Sequence, residues 1–367
     1  MRLITSSTSL IRLAVGLCLT AALAFCATPA SLTAGKVDLK SAGPLAFGPD
    51  GVLFVGDSIG AAVVALDTQD TKPGPASAQL EIKGLNQKVA AMLGTSADQI
   101  LINDVKVNPV SKNIYLSVSR GRGPDAMPAI LKIDTAGKIT ALSLDNIKHL
   151  TATLPNIPDT KATGQRNDPR LQIITDIAYV DGKVLVAGLS NEEFSSNLRN
   201  IPWPFQQVDK GASIEIFHGS HGQYETKSPV RTFTPYTING EQYILAAYTC
   251  TPLVKIPVSS LKSGAKVEGT TIAELGAGNR PLDMVPYKKD GKEYILMANS
   301  DRGVIKLSAD KLETYKPITK PTDITGVPYQ TVAGLRGVTQ LEKYDDSHAV
   351  ILTDANGSQD LRAIALP

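Results

Sequence analysis

The 367-residue sequence predicts an all-β fold, a six-bladed β-propeller of four-stranded antiparallel blades with loop insertions on one face. Three observations carry that expectation. A short apolar β-run recurs six times at intervals of roughly 50 to 70 residues, as a repeat architecture requires. A turn signal stands immediately before every run, and a further apolar strand follows each one. The competing arrangement, a β-sandwich with many hairpins, does not repeat equivalent strand triplets at such a period.

The recurring runs cover residues 52–57, 114–119, 184–188, 243–248, 294–299 and 349–354. Before them stand Asp50-Gly51, Lys112-Asn113, Asp181-Gly182, Asn239-Gly240, Asp290-Gly291 and Asp345-Asp346, of which the Asp-Gly and Asn-Gly pairs favour type I′ hairpin turns. Each run is therefore the second arm of a hairpin. The first arms align at 45–47, 104–107, 176–179, 231–233, 283–285 and 338–341, and third strands follow at 62–66, 130–133, 213–216, 253–256, 304–307 and 361–364. Residues 36–40 precede the first inner strand and are placed to add an outer strand to the last blade, which would cover an exposed edge. The expectation is one propeller domain over 36–367.

Composition sets the class. With 43% hydrophobic and 20% charged residues the chain can bury a sizeable core, which excludes disorder, collagen and a polytopic membrane protein. Residues 1–30 hold Arg2 and Arg12, no acid, and an apolar run over 13–27, the layout of a secretory signal peptide. That run is shorter than the ~20 residues a bilayer-spanning helix needs, so the expected mature protein is exported, periplasmic or extracellular, and has no transmembrane segment. Leu23-Ala24-Phe25-Cys26 is similar to a bacterial lipobox, under which Cys26 would carry a lipid anchor, although Phe25 stands where a small residue is wanted. Without the leader, basic and acidic residues are equal in number. A balanced chain with 5% aromatics lacks the basic surface and stacking platforms of a nucleic-acid binder. Cys18 leaves with the leader, and Cys26 and Cys250 build no disulfide framework.

The segment Leu45-Ala46-Phe47-Gly48-Pro49-Asp50-Gly51-Val52-Leu53-Phe54-Val55 resembles the repeats of NHL and YVTN propellers and, more distantly, of gluconolactonase/regucalcin-like propellers. The resemblance spans about residues 41–367 at the level of the blade pattern; it implies the fold, whereas activity must be argued from a site. Trp203, the single tryptophan, departs from the WD-repeat signature. Ile102-Asn103-Asp104 is similar to the Asn-Asp element that in gluconolactonase-like propellers binds a divalent metal, but Leu45 and Arg280-Pro281 stand where the other ligands would be.

In a propeller the loops from second to third strand and the segments leading into the innermost strands share one face. Segments 69–100, 120–128, 141–172 and 189–212 map there, and loops longer than about 12–15 residues usually carry function or are disordered. Residues 86–93 followed by Gly94 predict a short capped helix over that face. The stretch 189–212 reads as a stiff proline-bounded loop packed on its own blade, with a ligand-gripping lid as the alternative.

The innermost strands begin with Asn103-Asp104, Thr175-Asp176, Arg231, Asn279-Arg280 with Asp283, and Arg336, polar groups that must converge on a narrow axis. Either they satisfy one another and plug the channel, or they form a ligand site. Asp104, Asp176 and Asp283 with amide oxygens of Asn103 and Asn279 would suit Ca²⁺ or another divalent metal. Arg231, Arg280 and Arg336 argue instead for an anionic, carboxylate-bearing ligand.

The string His218-Gly219-Ser220-His221 is metal-like, yet no third ligand stands near it in sequence, and it reads as a turn on the face opposite the insertions. His348 falls in another far-face turn, and only His149 lies in a segment that could reach the channel, so a Ser-His-Asp triad lacks its base. Cys250 at the built-up rim reads as buried and inert, with a reactive thiol or metal ligand as the alternative. Asn356-Gly357-Ser358 matches a glycosylation sequon. The expected function is a small-molecule- or protein-binding module acting through the channel face. The alternative is a metal-dependent hydrolase or lactonase using Asp104, Asp176 and Asp283, and a third reading, an exported redox subunit, leans on Cys250 and on likeness of fold.

Overall fold

Two-residue turns set the strand pairing. Asp181-Gly182, Asn239-Gly240 and Asp290-Gly291 have both residues at positive φ, the type I′ geometry whose twist matches the flanking strands. They join Asp176–Val180 to Lys183–Leu189, Thr232–Ile238 to Glu241–Ala247, and Pro281–Lys289 to Lys292–Asn299. The computed structural model describes residue 1 and residues 31–123, 125–159 and 168–367, and over these the chain is mostly β, in multiple antiparallel sheets arranged in propeller fashion. The leader and lipobox readings fall outside the described residues. Among the described residues no helix is long and apolar enough to cross a membrane.

From the inside outward, sheet I runs Leu45–Phe47, Val52–Asp57, Ala62–Asp67, Ile147–Thr153 and Thr33–Gly35. Sheet II runs Ile100–Val107, Ile114–Arg120, Met127–Ile133 and Ile139–Ala141. Sheet III runs Asp176–Val180, Lys183–Leu189, Ser196–Pro202 and Ala212–His218, with Gln223–Glu225 on its edge. Sheet IV runs Thr232–Ile238, Glu241–Ala247, Pro252–Pro257 and Lys266–Glu274, and its last strand pairs in parallel with Ala212–His218 of sheet III. Sheet V runs Pro281–Lys289, Lys292–Asn299, Gly303–Ser308 and Tyr329–Thr331, and sheet VI runs Val338–Lys343, His348–Ala355, Ser358–Ala365 and Glu81–Ile82.

The innermost strands neighbour one another in a closed cycle, I–III–IV–V–VI–II and back to I. A hydrophobic cluster fills each junction. Leu116 and Leu131 of sheet II meet Val350 and Leu361 of sheet VI, and Phe54 of sheet I meets Val186 and Ile201 of sheet III. Every such fully buried aliphatic or aromatic side chain contributes about 1.5–3 kcal/mol relative to exposure. The helix Leu85–Leu93, ended by left-handed Gly94 as expected, buries Leu85, Val89 and Ala90 at the II–VI junction.

Three expectations are corrected. The outer strand of sheet VI is Glu81–Ile82, paired with Arg362 and Leu361, and not residues 36–40. Val37 and Leu39 instead bury against Tyr115 and Ile130 at the I–II junction, where Val37 N–H donates to Leu144 O. Residues 189–212 are no single loop, because Ser196–Pro202 is a full strand, which makes 212–218 the fourth strand of its sheet rather than the third. Its polar residues Asn197 and Arg199 broke the apolar pattern, yet both are buried. The chain also lays down four strands of sheet I, crosses to the edge of sheet VI, builds sheet II, and returns through Ile147–Thr153, which pairs between Ala62–Asp67 and Thr33–Gly35 to complete sheet I.

Candidate functional site

Asp176 opens the innermost strand of sheet III, whereas Asp104 and Asp283 lie inside the innermost strands of sheets II and V, beside register shifts at Ile102/Asp104 and Pro281/Asp283 that break the regular ladder. Their hydrogen bonds follow one rule. Asp104 accepts from Val105 N at 2.7 Å and from Leu45 N of sheet I at 2.6 Å. Asp176 accepts from Ile177 N at 2.8 Å and from Phe233 N of sheet IV at 2.8 Å. Asp283 accepts from Met284 N at 2.9 Å and from Leu341 N of sheet VI at 2.9 Å. Each carboxylate thus staples its own strand to the next one, at every second junction of the cycle. The VI–II junction is closed differently, by the ion pair of Lys106 Nζ with Glu342 Oε2 at 2.6 Å and by Gln340 Nε2 donating to Asn103 O at 3.0 Å.

Asn103, Asp104, Lys106, Asp176, Arg231, Asp283 and Gln340 line one cavity of about 50 Å³ on the axis. Burial pushes Asp104 up to about 7 and Asp176 up to about 6, against the pull of Lys106 and of their amide donors, and burial raises Asp283 well above the ordinary carboxylate range. Burial opposes the charge of Lys106 as well, but Glu342, Asp104, Asp283 and Asp176 outweigh it and hold the ammonium protonated. The expected Ca²⁺ or other divalent ion would have to share these oxygens with their amide donors. Both oxygens of each aspartate are taken by backbone amides, and Lys106 is the cation that faces them. Lys106 was legible in principle, since it stands two residues after Asp104 and so points to the same face of the strand.

Above this cavity the channel opens into a cleft of about 460 Å³ whose lining includes Ile59, Leu101, Leu171, Gln172, Arg231 and Arg280 and, among the described residues, no acidic side chain. Ile59, Leu101 and Leu171 are large apolar side chains exposed at 37%, 40% and 57%. Arg231 is half-buried; its Nε donates to Thr249 Oγ1 at 3.0 Å and its Nη1 to Gln172 Oε1 at 2.9 Å. Burial and the nearby charge of Arg280 push Arg231 down to about 10. Two guanidinium groups that feel each other, beside exposed apolar side chains and without a lining carboxylate among the described residues, suit an anion.

The opposite mouth is larger, about 730 Å³, but its charges are already matched. There Lys288 pairs with Glu293 at 2.6 Å and Lys343 with Asp346 at 2.7 Å, and Tyr236 donates to Glu293. In the smaller cleft the partners of Arg231 are the neutral Thr249 and Gln172, not a carboxylate.

The remaining expected residues are placed apart from it. Asn279 is a buried turn residue whose Oδ1 accepts from Ser300 Oγ and Asp301 N, and Arg336 is exposed outside both cavities on the axis. Cys250 is half-buried and, with Thr251, has left-handed backbone, at φ 63 and φ 60, pinned where Cys250 N–H donates to Asn279 O. His149 stands on the outer strand Ile147–Thr153 with Nδ1 against Ile147 O, away from the axis, and His348 faces Asp345. Asn356-Gly357, read as part of a sequon, forms the two-residue turn between His348–Ala355 and Ser358–Ala365. His218 ends a fourth strand, so its turn lies at the same end of the sheet as the cleft, not on the far face; Glu225, missed in sequence, stands beside both histidines.

No family model matches the chain, and no curated protein matches it. Among solved structures, a glucose dehydrogenase is similar at 15% identity with a TM-score of 0.40, over 92% of this chain and 99% of that one. The extracellular domains 1–2 of Drosophila Semaphorin 1b are similar at 11% identity and a TM-score of 0.40, over 92% of this chain and 87% of that one. The PQQ-bound aldose sugar dehydrogenase of Streptomyces coelicolor is similar at 11% identity and a TM-score of 0.33, over 91% of this chain and 98% of that one.

Proposed function

We propose that this chain is an exported six-bladed β-propeller that binds a carboxylate-bearing ligand with an apolar tail in the cleft above its axis. Export is supported by the leader-like residues 1–30, and the six blades by the closed cycle of inner strands. One observation carries the ligand class: Arg231 and Arg280 flank the exposed Ile59, Leu101 and Leu171 in a lining without an acid among the described residues. A guanidinium fork suits a carboxylate, and the apolar trio suits a hydrocarbon tail. A hydrolase built on Asp104, Asp176 and Asp283 has less behind it, because those oxygens are committed to backbone amides.

Calorimetric titration with octanoate, octanol and octyltrimethylammonium tests this reading. Octanoate is expected to bind and the other two to bind at least ten times more weakly. Arg231→Gln and Arg280→Gln should each weaken octanoate by about tenfold, the loss of roughly 1.4 kcal/mol from a charged hydrogen bond. Equal affinity for octanol, or no effect of either substitution, refutes the assignment.

A further inference from the structure

We propose that His218, His221 and Glu225 form a three-ligand site for a divalent transition metal of the zinc class. The site lies at the rim between sheets III and IV and is separate from the cleft, whose lining contains none of the three. His218 ends the strand Ala212–His218, a tight turn follows, and the strand Gln223–Glu225 brings Glu225 back to face both rings. Nδ1 of His218 is 3.1 Å from Oε2 of Glu225, and Nδ1 of His221 is 2.6 Å from Oε1. One ligand atom from each residue lies within 4.8 Å of the others. Ligand atoms around a tetrahedral ion held at about 2.0–2.1 Å stand roughly 3.3 Å apart, so small movements of side-chain ends would complete the set.

Two further observations point to an ion rather than to a simple salt bridge. His218 is 1% exposed; its Nδ1 stands 3.1 Å from Glu225 Oε2, and its Nε2 has no hydrogen-bond partner among the described residues, a costly state for a buried polar atom. Glu274, fully buried and within electrostatic reach of both rings, gives Oε1 to Gly219 N–H at 2.6 Å and has no partner for Oε2. Two carboxylates therefore face two imidazoles whose ring centroids lie 3.9 Å apart at an interplanar angle of 33°. Ser228 Oγ donates to Glu225 Oε2 at 3.0 Å, an outer bond of the sort that orients metal ligands. Imidazole with carboxylate favours zinc and its neighbours over calcium, and three protein ligands leave a fourth position open to an exogenous ligand.

Zinc chloride titrated into metal-stripped, untagged full-length protein, followed by calorimetry and elemental analysis, tests the site. One zinc per chain is expected, with a rise in melting temperature at saturation. His221 is 42% exposed, so His221→Ala should fold normally, and Glu225→Gln keeps the side-chain shape. Each should weaken zinc at least tenfold, whereas His348→Ala should leave affinity unchanged. Cobalt should give a visible ligand-field band that Glu225→Gln abolishes. Absence of zinc uptake, or uptake equal in wild type, His221→Ala and Glu225→Gln, overturns the proposal.

Discussion

Each channel aspartate satisfies two backbone amides, one of them on a neighbouring sheet, so its chemistry is structural before it is anything else. Asp104→Ala leaves Leu45 N–H and Val105 N–H without acceptors and should cost about 2–4 kcal/mol in denaturant unfolding, at roughly 1–3 kcal/mol per orphaned buried group. The same residue sets a pH dependence. Burial raises the folded pKa of Asp104 to about 7, above its ordinary 3.8, so the folded state binds the extra proton between those values. The contribution of Asp104 to stability therefore falls as pH rises from about 4 to about 7 and is regained on acidification. Asp104→Asn should flatten that part of a melting-temperature profile; an unchanged slope would assign it to other groups. The aspartates were legible as inner-strand residues, but their partners were not, because Leu45 and Asp104 meet only when two distant strands lie side by side.

Sheet VI depends on a strand from the other end of the chain. Ile82, 5% exposed, pairs with Leu361 and belongs to the cluster that joins sheets II and VI, whereas its neighbour Glu81 is exposed. Ile82→Ala should cost about 2–4 kcal/mol through a cavity that a two-residue strand cannot collapse, and Glu81→Ala should stay within about 0.5 kcal/mol. Matched melts of the two variants check this, and equal losses would mean that the edge pairing is dispensable. The recurrent hairpins were readable because Asp-Gly and Asn-Gly demand positive φ at both turn positions. Outer strands were not readable. Ser196–Pro202 carries Asn197 and Arg199 inward, and Glu81–Ile82 is too short to show any period.

Closure of the cycle ties residues 81–82 to 361–362 and residues 62–66 to 149–153. Removing 358–367 would strip the third strand from sheet VI, unpair Glu81–Ile82, and withdraw Leu361 and Leu366 from two junctions at once. The truncated chain should lose its single cooperative transition, with near-ultraviolet and far-ultraviolet signals melting apart. Coincident melting at the full-length temperature would show that the cycle need not be closed.

The β class, the hairpins, the helix before Gly94 and the polar residues of the inner strands are all readable from the chain alone. These are local properties, written in turn chemistry and in two-residue alternation. Only the tertiary structure decided the order of the sheets around the axis, the role of Asp104, Asp176 and Asp283 as staples between strands, and the placing of Arg231 beside exposed apolar side chains. It also decided that Glu225 meets His218 and His221 at the same end as the cleft. The reason is physical: each of these depends on groups brought together by strand crossovers, and local sequence does not record which strand will lie beside which.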